Sequence, residues 1–344
     1  MKKLYTTSKY KRYHKKYCLK LQHRKKYKKY VSPLKNKKKN NLFHQVTAPI
    51  DFRFLDNIEA CAKFFSDLRK EDAIWEKNGR KNVFIDIRKI EKIDFSTAFI
   101  LSAISDEFKD NHIILRGSLP ENEECLKYLS DSGFFNEKYD KNGTKFSNTE
   151  KTEIMIFEKG CGILSIEHMK KISDTVEHIS NHLVNEKRPN LDLKSMLKEI
   201  CGNSIEWSYA FNQQWSLGIK YEDDRIIFVA IDLGRGILDS LYRKFQKKLA
   251  DIFTLKSDID ILMGAFDKKY GSSSKEINRN KGLPGIKSSF NAGLIKKLVA
   301  VTNNVMLDFE NPERCIKFAS LRRTFKGTLY KWEMDAECLN KRVL

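Results

Sequence analysis

Apolar and polar residues follow two rhythms along this chain, one of three to four residues and one of runs or alternation. Ile58, Cys61, Ala62, Phe64, Phe65 and Leu68 recur at helical spacing and predict an amphipathic helix. Val83 to Ile87 is a short apolar run and predicts a strand. Ile93 to Ala98 then leads into a helix that continues through Ile100, Leu101 and Ile104. A strand at Ile113 to Leu115 and a helix from Glu121 to Leu129, stopped near Ser132-Gly133, complete an alternation that implies an α/β layer.

The polar, turn-rich residues 136–149 mark a boundary. Beyond it, Glu153 to Phe157 predicts a strand and Glu167 to Leu183 a helix. That helix carries His178 and His182 four apart, but no third metal ligand accompanies them, so the pair reads as part of a surface helix. From Ser195, the residues Met196, Leu197, Ile200 and Cys201 share one helical face, with Glu199 and Asn203 four apart on a neighbouring one. Ile226 to Ile231 is an unbroken apolar run that ends at Asp232 and the turn Gly234-Arg235-Gly236. Short and rich in Ile and Val, it predicts a buried strand. Further on, the pattern predicts helices at Leu241–Ile252, Asp258–Phe266 and Gly293–Val301. A glycine–serine hinge falls at Gly271–Ser274, a strand around Val305–Leu307, and another strand ending near Gly327–Tyr330.

Charge changes this picture at one end only. Of the 65 Lys and Arg, 17 lie in residues 1–40, which contain no acid, so the arm holds nearly all of the net charge of +20. A block of like charge cannot form a packed core. Six tyrosines are interleaved with it, and cations alternating with aromatic faces suit nucleic acid, RNA or DNA. Lys11, Arg12, Tyr13, Lys15, Lys16, Tyr17, Arg24, Lys25, Lys26 and Tyr27 are the candidate contacts, with an acidic protein, an inert tail or an anionic membrane surface as alternatives. The seven cysteines show no C-x-x-C spacing, and no apolar run reaches membrane-spanning length. Without a signal-peptide pattern, a cytoplasmic protein that does not enter membranes is expected.

The spacing Glu199-x-x-x-Asn203, followed by Asp232-x-Gly234-x-Gly236, resembles the Bergerat-fold (GHKL, histidine-kinase-like) ATPases. Gly282-Leu283-Pro284-Gly285 resembles the glycine box that closes their ATP lid, and Gly327-Thr328 their late Gly-Thr on a strand. The four pieces stand in the family's order across residues 150–335. Asn280 and Pro284 replace glycines of the lid box, a departure that bears on lid flexibility and turnover more than on nucleotide binding.

The resemblance implies ATP and Mg²⁺ as ligands. Glu199 would be the base that activates the attacking oxygen, and Asn203 would complete the magnesium shell. Asp232 would accept from the adenine amino group, with Gly234 and Gly236 allowing the close turn. Lys281, Gly282, Leu283, Gly285 and Thr328 would hold the phosphates.

In the first half, a strand of the form V-x-I-D-I followed by I-D-x-S at a helix start resembles STAS domains. That likeness implies a protein partner and makes Ser96 a candidate phospho-acceptor; helix capping by Asp94 or Ser96 is the plainer reading. The expected organisation is therefore an arm and linker (1–48), a STAS-like α/β domain (49–145), a Bergerat-fold ATPase domain (150–335) and a short tail (336–344). Each domain is expected as an α+β two-layer sandwich. Three functions fit: an ATP-operated regulatory switch with a nucleic-acid-binding arm, an anti-sigma-type serine/threonine kinase, or a nucleic-acid-binding scaffold with a degenerate ATP site. Lid closure in several relatives accompanies dimerisation, so a homodimer is also among the expectations.

Overall fold

Strand-and-helix alternation in the first half becomes a layer of parallel strands joined by helices. The computed structural model describes residues 45–77, 79–136, 138–140, 142–146, 155–161, 166–207, 214–245, 257–267, 282–319 and 325–341. The first strands are β1 (Gln45–Thr47) and β2 (Asp51–Phe52), followed by α1 (Ile58–Leu68), β3 (Trp75–Lys77), β4 (Arg80–Asp86) and β5 (Lys92–Ile93). Next come α2 (Phe95–Asp110), β6 (Ile113–Gly117) and α3 (Glu123–Asp131). β4 pairs in parallel with β1 and β6, and antiparallel with β3, while β2 and β5 form a separate parallel pair. Parallel neighbours need a crossover, and α1 and α2 supply it. α2 begins at Phe95 because Asp94 caps it, its carboxylate accepting from the Thr97 amide at 2.8 Å. Asn122 caps α3 in the same way, through the Cys125 amide.

The second half is built on one antiparallel sheet. Its elements are β7 (Met155–Cys161), α4 (Ile166–Val184), α5 (Leu191–Trp207), β8 (Gln214–Tyr221), β9 (Arg225–Asp232), α6 (Ile237–Phe245), α7 (Asp258–Phe266), α8 (Gly282–Asn291), β10 (Lys296–Asn303), β11 (Val305–Asp308), β12 (Ile316–Lys317) and β13 (Phe325–Asp335). The strands lie in the order β12-β11-β10-β13-β9-β8-β7. β9 and β13 are central, and their register sets Asp232 opposite Thr328 and Phe228 opposite Trp332. The last two rings stack, with centroids 5.0 Å apart.

Both faces of this sheet are covered, which explains its unbroken apolar strands. Ile226, Phe228 and Ala230 point with Leu298, Ala300, Tyr330 and Trp332 into a core closed by α4, α5, α7 and α8. Ile227, Val229, Ile231, Val299, Val301 and Leu329 point the other way, into the core of the N-terminal layer. There α1 packs on β13, and α2 packs on β8 and β9. Gly218 of β8 makes room for this: a Cβ there would stand 2.9 Å from the Phe99 ring and 3.1 Å from the Phe95 ring. Phe54 meets Phe325 across the same junction, 5.2 Å between centroids. The strand-and-helix content makes the chain a mixed α/β protein, and Phe43–Leu344 form one compact unit.

Two expectations are corrected. Residues 293–301, expected as a helix, contain most of strand β10. Their alternate residues Leu298 and Ala300, and Val299 and Val301, are buried on opposite faces, so the run carries no one-sided period to read. Gly327-Thr328 lies near the start of β13, not near a strand end, since that strand continues to Asp335. Among the described residues no helix is long and apolar enough to cross a membrane. The arm residues 1–40, the hinge Gly271–Ser274, and Asn280 and Lys281 lie outside the described residues.

Candidate functional site

The candidate site is assembled at one end of the central strands. β9 alternates strictly, so Asp232 points to the same side as Phe228 and Ala230, the side covered by the second-half helices. By the same alternation Thr328 faces this side with Tyr330 and Trp332, and Thr302 with Leu298 and Ala300. Thr302 pairs with Thr328 and Thr328 with Asp232, which makes a row of three polar residues across three strands. The Thr302 hydroxyl donates to the Gly327 carbonyl at 3.0 Å.

Asp232 is buried, and its carboxylate accepts from the Gly234 amide at 2.9 Å and from the Thr328 hydroxyl. Burial pushes its carboxyl up to about 6, against the opposing pull of those two hydrogen bonds and of the Arg69 guanidinium. A carboxylate offers about four acceptor positions, so two accepted bonds leave capacity for a further donor such as an amino group.

The turn after Asp232 is held from several sides. Asn303 Nδ2 donates to the Arg235 carbonyl at 2.9 Å, and Asn303 Oδ1 accepts from the Leu238 amide at 3.1 Å. Thr302 Oγ1 accepts from the Ile237 amide at 2.9 Å, so β10 caps the start of α6. Gly236 has φ 86°, and a Cβ there would stand 2.5 Å from Asn303 Oδ1. Gly327 has φ 137°, and its Cβ would collide with the Asp232 carbonyl oxygen. Both positions require glycine, for conformation and for space.

α5 carries Glu199 and Asn203 one turn apart, and it buries Leu193, Met196, Leu197, Ile200 and Cys201 against the sheet. Glu199 is half-buried beside that stripe. The Asn203 side chain lies outside the described residues. α8 begins at Gly282, packs against α5, and adds Ile286 to the same core. Gly282 is buried, Leu283 is half-buried, and a Cβ on Gly285 would meet nothing within 4 Å. A side chain at Gly285 would therefore stand in open space on the first turn of α8. The elements bearing Glu199, Asn203, Asp232, Gly282, Gly285 and Thr328 thus all belong to one face of one sheet.

Three contributors were not legible in the sequence. Thr302 and Asn303 end an apolar run, a position favoured by capping residues, and that was the available signal. Arg69 lies in the other half of the chain, and no spacing pointed to it.

Ser96 is buried on the first turn of α2, and its hydroxyl has no hydrogen-bond partner. Asp94 is the capping residue; burial raises its carboxyl, with the Thr97 hydrogen bonds opposing. On α4, His182 Nε2 contacts the Glu222 carbonyl at 2.7 Å, and both His178 and His182 meet the Tyr221 ring edge-on. Among the described residues no group of three or more His, Cys, Asp or Glu is placed to hold a metal ion. A magnesium held largely through phosphates needs no such cluster. Comparisons with protein-family models, with curated proteins and with solved structures gave no match.

Proposed function

We propose that this chain is an ATP-binding regulatory protein, a slow Mg²⁺-dependent ATPase switch of Bergerat type whose basic arm binds nucleic acid. The observation that carries the reading is the pairing of a buried, hydrogen-bonded Asp232 with Thr328 on the sheet face that α5 and α8 cover. A buried carboxylate with unused acceptor capacity, beside the glycine-dependent turn at Gly236 and the glycine-dependent strand position Gly327, suits recognition of an exocyclic amine. It selects adenine over guanine, which presents a carbonyl at that position.

On this reading Asp232 holds the adenine amino group and Gly234 and Gly236 shape the turn beside the base. The first-turn amides of α8 at Gly282 and Leu283, with Lys281, hold the phosphates, Gly285 leaves them room, and the Thr328 hydroxyl braces the Asp232 carboxylate. Asn203 provides the protein ligand for magnesium, which supplies charge neutralisation on the phosphates when bound. Glu199, one turn before it on α5, orients and deprotonates the attacking water.

Calorimetric titration of the full chain with Mg-ATP and Mg-GTP tests this. Wild type gives a binding heat with ATP alone, and Asp232→Asn gives none. Glu199→Ala keeps the heat and releases no phosphate, a loss of roughly 10²–10⁴-fold. Equal or absent heats for wild type and Asp232→Asn would refute the nucleotide reading and leave a nucleic-acid-binding scaffold.

A further inference from the structure

α1 ends at Arg69, which is largely shielded from solvent at the junction of the N-terminal layer and the large sheet. Its guanidinium makes four hydrogen bonds. Nε and Nη2 each donate to Glu107 of α2 at 2.8 Å, to Oε2 and Oε1 respectively. Nη1 donates to the Lys326 carbonyl at 2.7 Å, and Nη2 also donates to the Leu233 carbonyl at 2.7 Å. Those two carbonyls belong to the residue after Asp232 and the residue before Gly327. One side chain from the N-terminal layer therefore grips both backbone segments that flank the candidate adenine acceptor. Only a planar fork with five N–H donors can meet a carboxylate and two separate carbonyls at once.

We propose that Arg69 is a positioning residue for the nucleotide site, through which the N-terminal α/β layer sets the geometry and charge that Asp232 presents to its ligand. The proposal rests on reading Asp232 as the adenine acceptor. A displacement of α1 relative to the sheet would pull on Leu233 and Lys326 together, so a partner bound to the N-terminal layer would alter nucleotide affinity, and nucleotide would alter partner affinity equally. Among the described residues, Arg69 is the charged group that acts on Asp232, and Arg235 and Lys326 lie on the flanking segments. Arg69 reaches toward it from the N-terminal layer with Glu107 behind, and the Tyr330 phenol, raised by burial and by the Asp232 charge, lies two residues along β13 from Thr328. Glu199 on α5 and Asp239 at the start of α6 belong to the elements on the same sheet face.

The test uses the full chain. Mg-ATP is titrated across the pH range on either side of neutrality into wild type, Arg69→Gln and Glu107→Gln. Hydrogen exchange at Leu233–Gly236 and Lys326–Thr328 is followed without nucleotide. Arg69→Gln is expected to weaken Mg-ATP about tenfold at neutral pH, about 1.4 kcal/mol, and to move the midpoint of the pH dependence upward. Glu107→Gln leaves the Arg69 charge uncompensated and is expected to move that midpoint downward. Exchange in both segments should quicken in Arg69→Gln. A purely structural arginine would lower the melting temperature in both variants without opposite midpoint shifts, and that result, or unchanged exchange, overturns the proposal. If Arg69→Gln does not fold, the Glu107→Gln midpoint decides. If wild type binds no Mg-ATP, the adenine reading itself fails, and the exchange data alone show whether Arg69 still holds the turn.

Discussion

Asp232 is a buried acid at the end of a central strand. Burial disfavours the charge and pushes its carboxyl up from the ordinary 3.8 to about 6. A raised acid contributes stability below its unfolded value and loses that contribution as pH rises through its folded value. Above about pH 6 the ionised, buried form therefore destabilises the apoprotein, by at most roughly 3 kcal/mol at ~1.4 kcal/mol per unit. Asp232→Asn should melt several degrees higher than wild type at about pH 8, with the gap closing near about pH 4, as thermal melts at the two pH values will read. Mg-ATP affinity should run the other way in wild type, falling as pH drops through about 6, because only the ionised acid accepts the amine proton without first losing its own. The glycines around this residue separate by the same local physics. Gly327→Ala forces a side chain onto the Asp232 backbone carbonyl and Gly236→Ala onto Asn303, each at positive φ. Each should cost about 1–3 kcal/mol or more, with Gly327→Ala the worse, because a backbone carbonyl cannot swing aside. Gly285→Ala, with open space for its methyl, should leave urea stability near wild type and be felt, if anywhere, in Mg-ATP affinity.

At the scale of elements, what could be read depended on whether burial was one-sided. α1, with its apolar residues on one face, was plain in the sequence, and so was α7, whose residues 258–266 match the expected segment. β9 was legible as a buried run between polar turns, which fixed Asp232 at its end. β10 was misread because both its faces are buried and its apolar residues are consecutive, a pattern that a buried helix shares. β8 carries a period-2 alternation, Trp215, Leu217 and Ile219 against Ser216, Gly218 and Lys220, that is obscured because Gly218 reads as a breaker. In the fold that glycine is a seat for the aromatic rings of α2. The candidate site was legible as residue types at spacings, and its cross-strand pairing was not, because register between β9 and β13 is set by a segment of about ninety residues between them. The seat on Gly218 makes a specific demand of α2. Phe99→Ala removes one of its two rings and should cost about 3–5 kcal/mol, measured by urea denaturation, although Phe99 lies in the other half of the chain.

For the whole molecule, the two halves share an apolar core, since Ile227, Val229, Ile231 and Leu329 pack with residues of the N-terminal layer. Cutting between them would expose one whole face of the large sheet to water, at about 25 cal/mol for each Å² of apolar surface. The halves should therefore unfold together. Urea curves followed by the fluorescence of Trp75 in one half and of Trp332 in the other, each in a variant lacking the remaining tryptophans, should coincide; two separated midpoints would mean independent domains. The charge of the chain is distributed quite differently from its core. With 17 of its cationic residues before position 41 and no acid among them, the rest of the chain is close to neutral. Binding to a polyanion should thus be a property of the arm alone. If the arm meets nucleic acid through its cations, each phosphate neutralised releases counterions and adds about −0.9 to the log–log slope of affinity against salt on a duplex, or about −0.7 on a single strand. Engagement of about six to ten cations would lose roughly 10³–10⁵ in affinity between about 50 and 200 mM salt. Fluorescence anisotropy with a labelled oligonucleotide at a series of salt concentrations reads this slope directly. A chain beginning at Asn41 should lose the salt-dependent binding while keeping the Mg-ATP heat. Replacing Tyr13, Tyr17 and Tyr27 by Leu in the full chain should weaken single-strand binding by about 1–3 kcal/mol per base no longer stacked, with the salt slope unchanged. An unchanged affinity in that variant would assign the arm to charge alone, and an unchanged slope in the truncated chain would move the polyanion site onto the folded body.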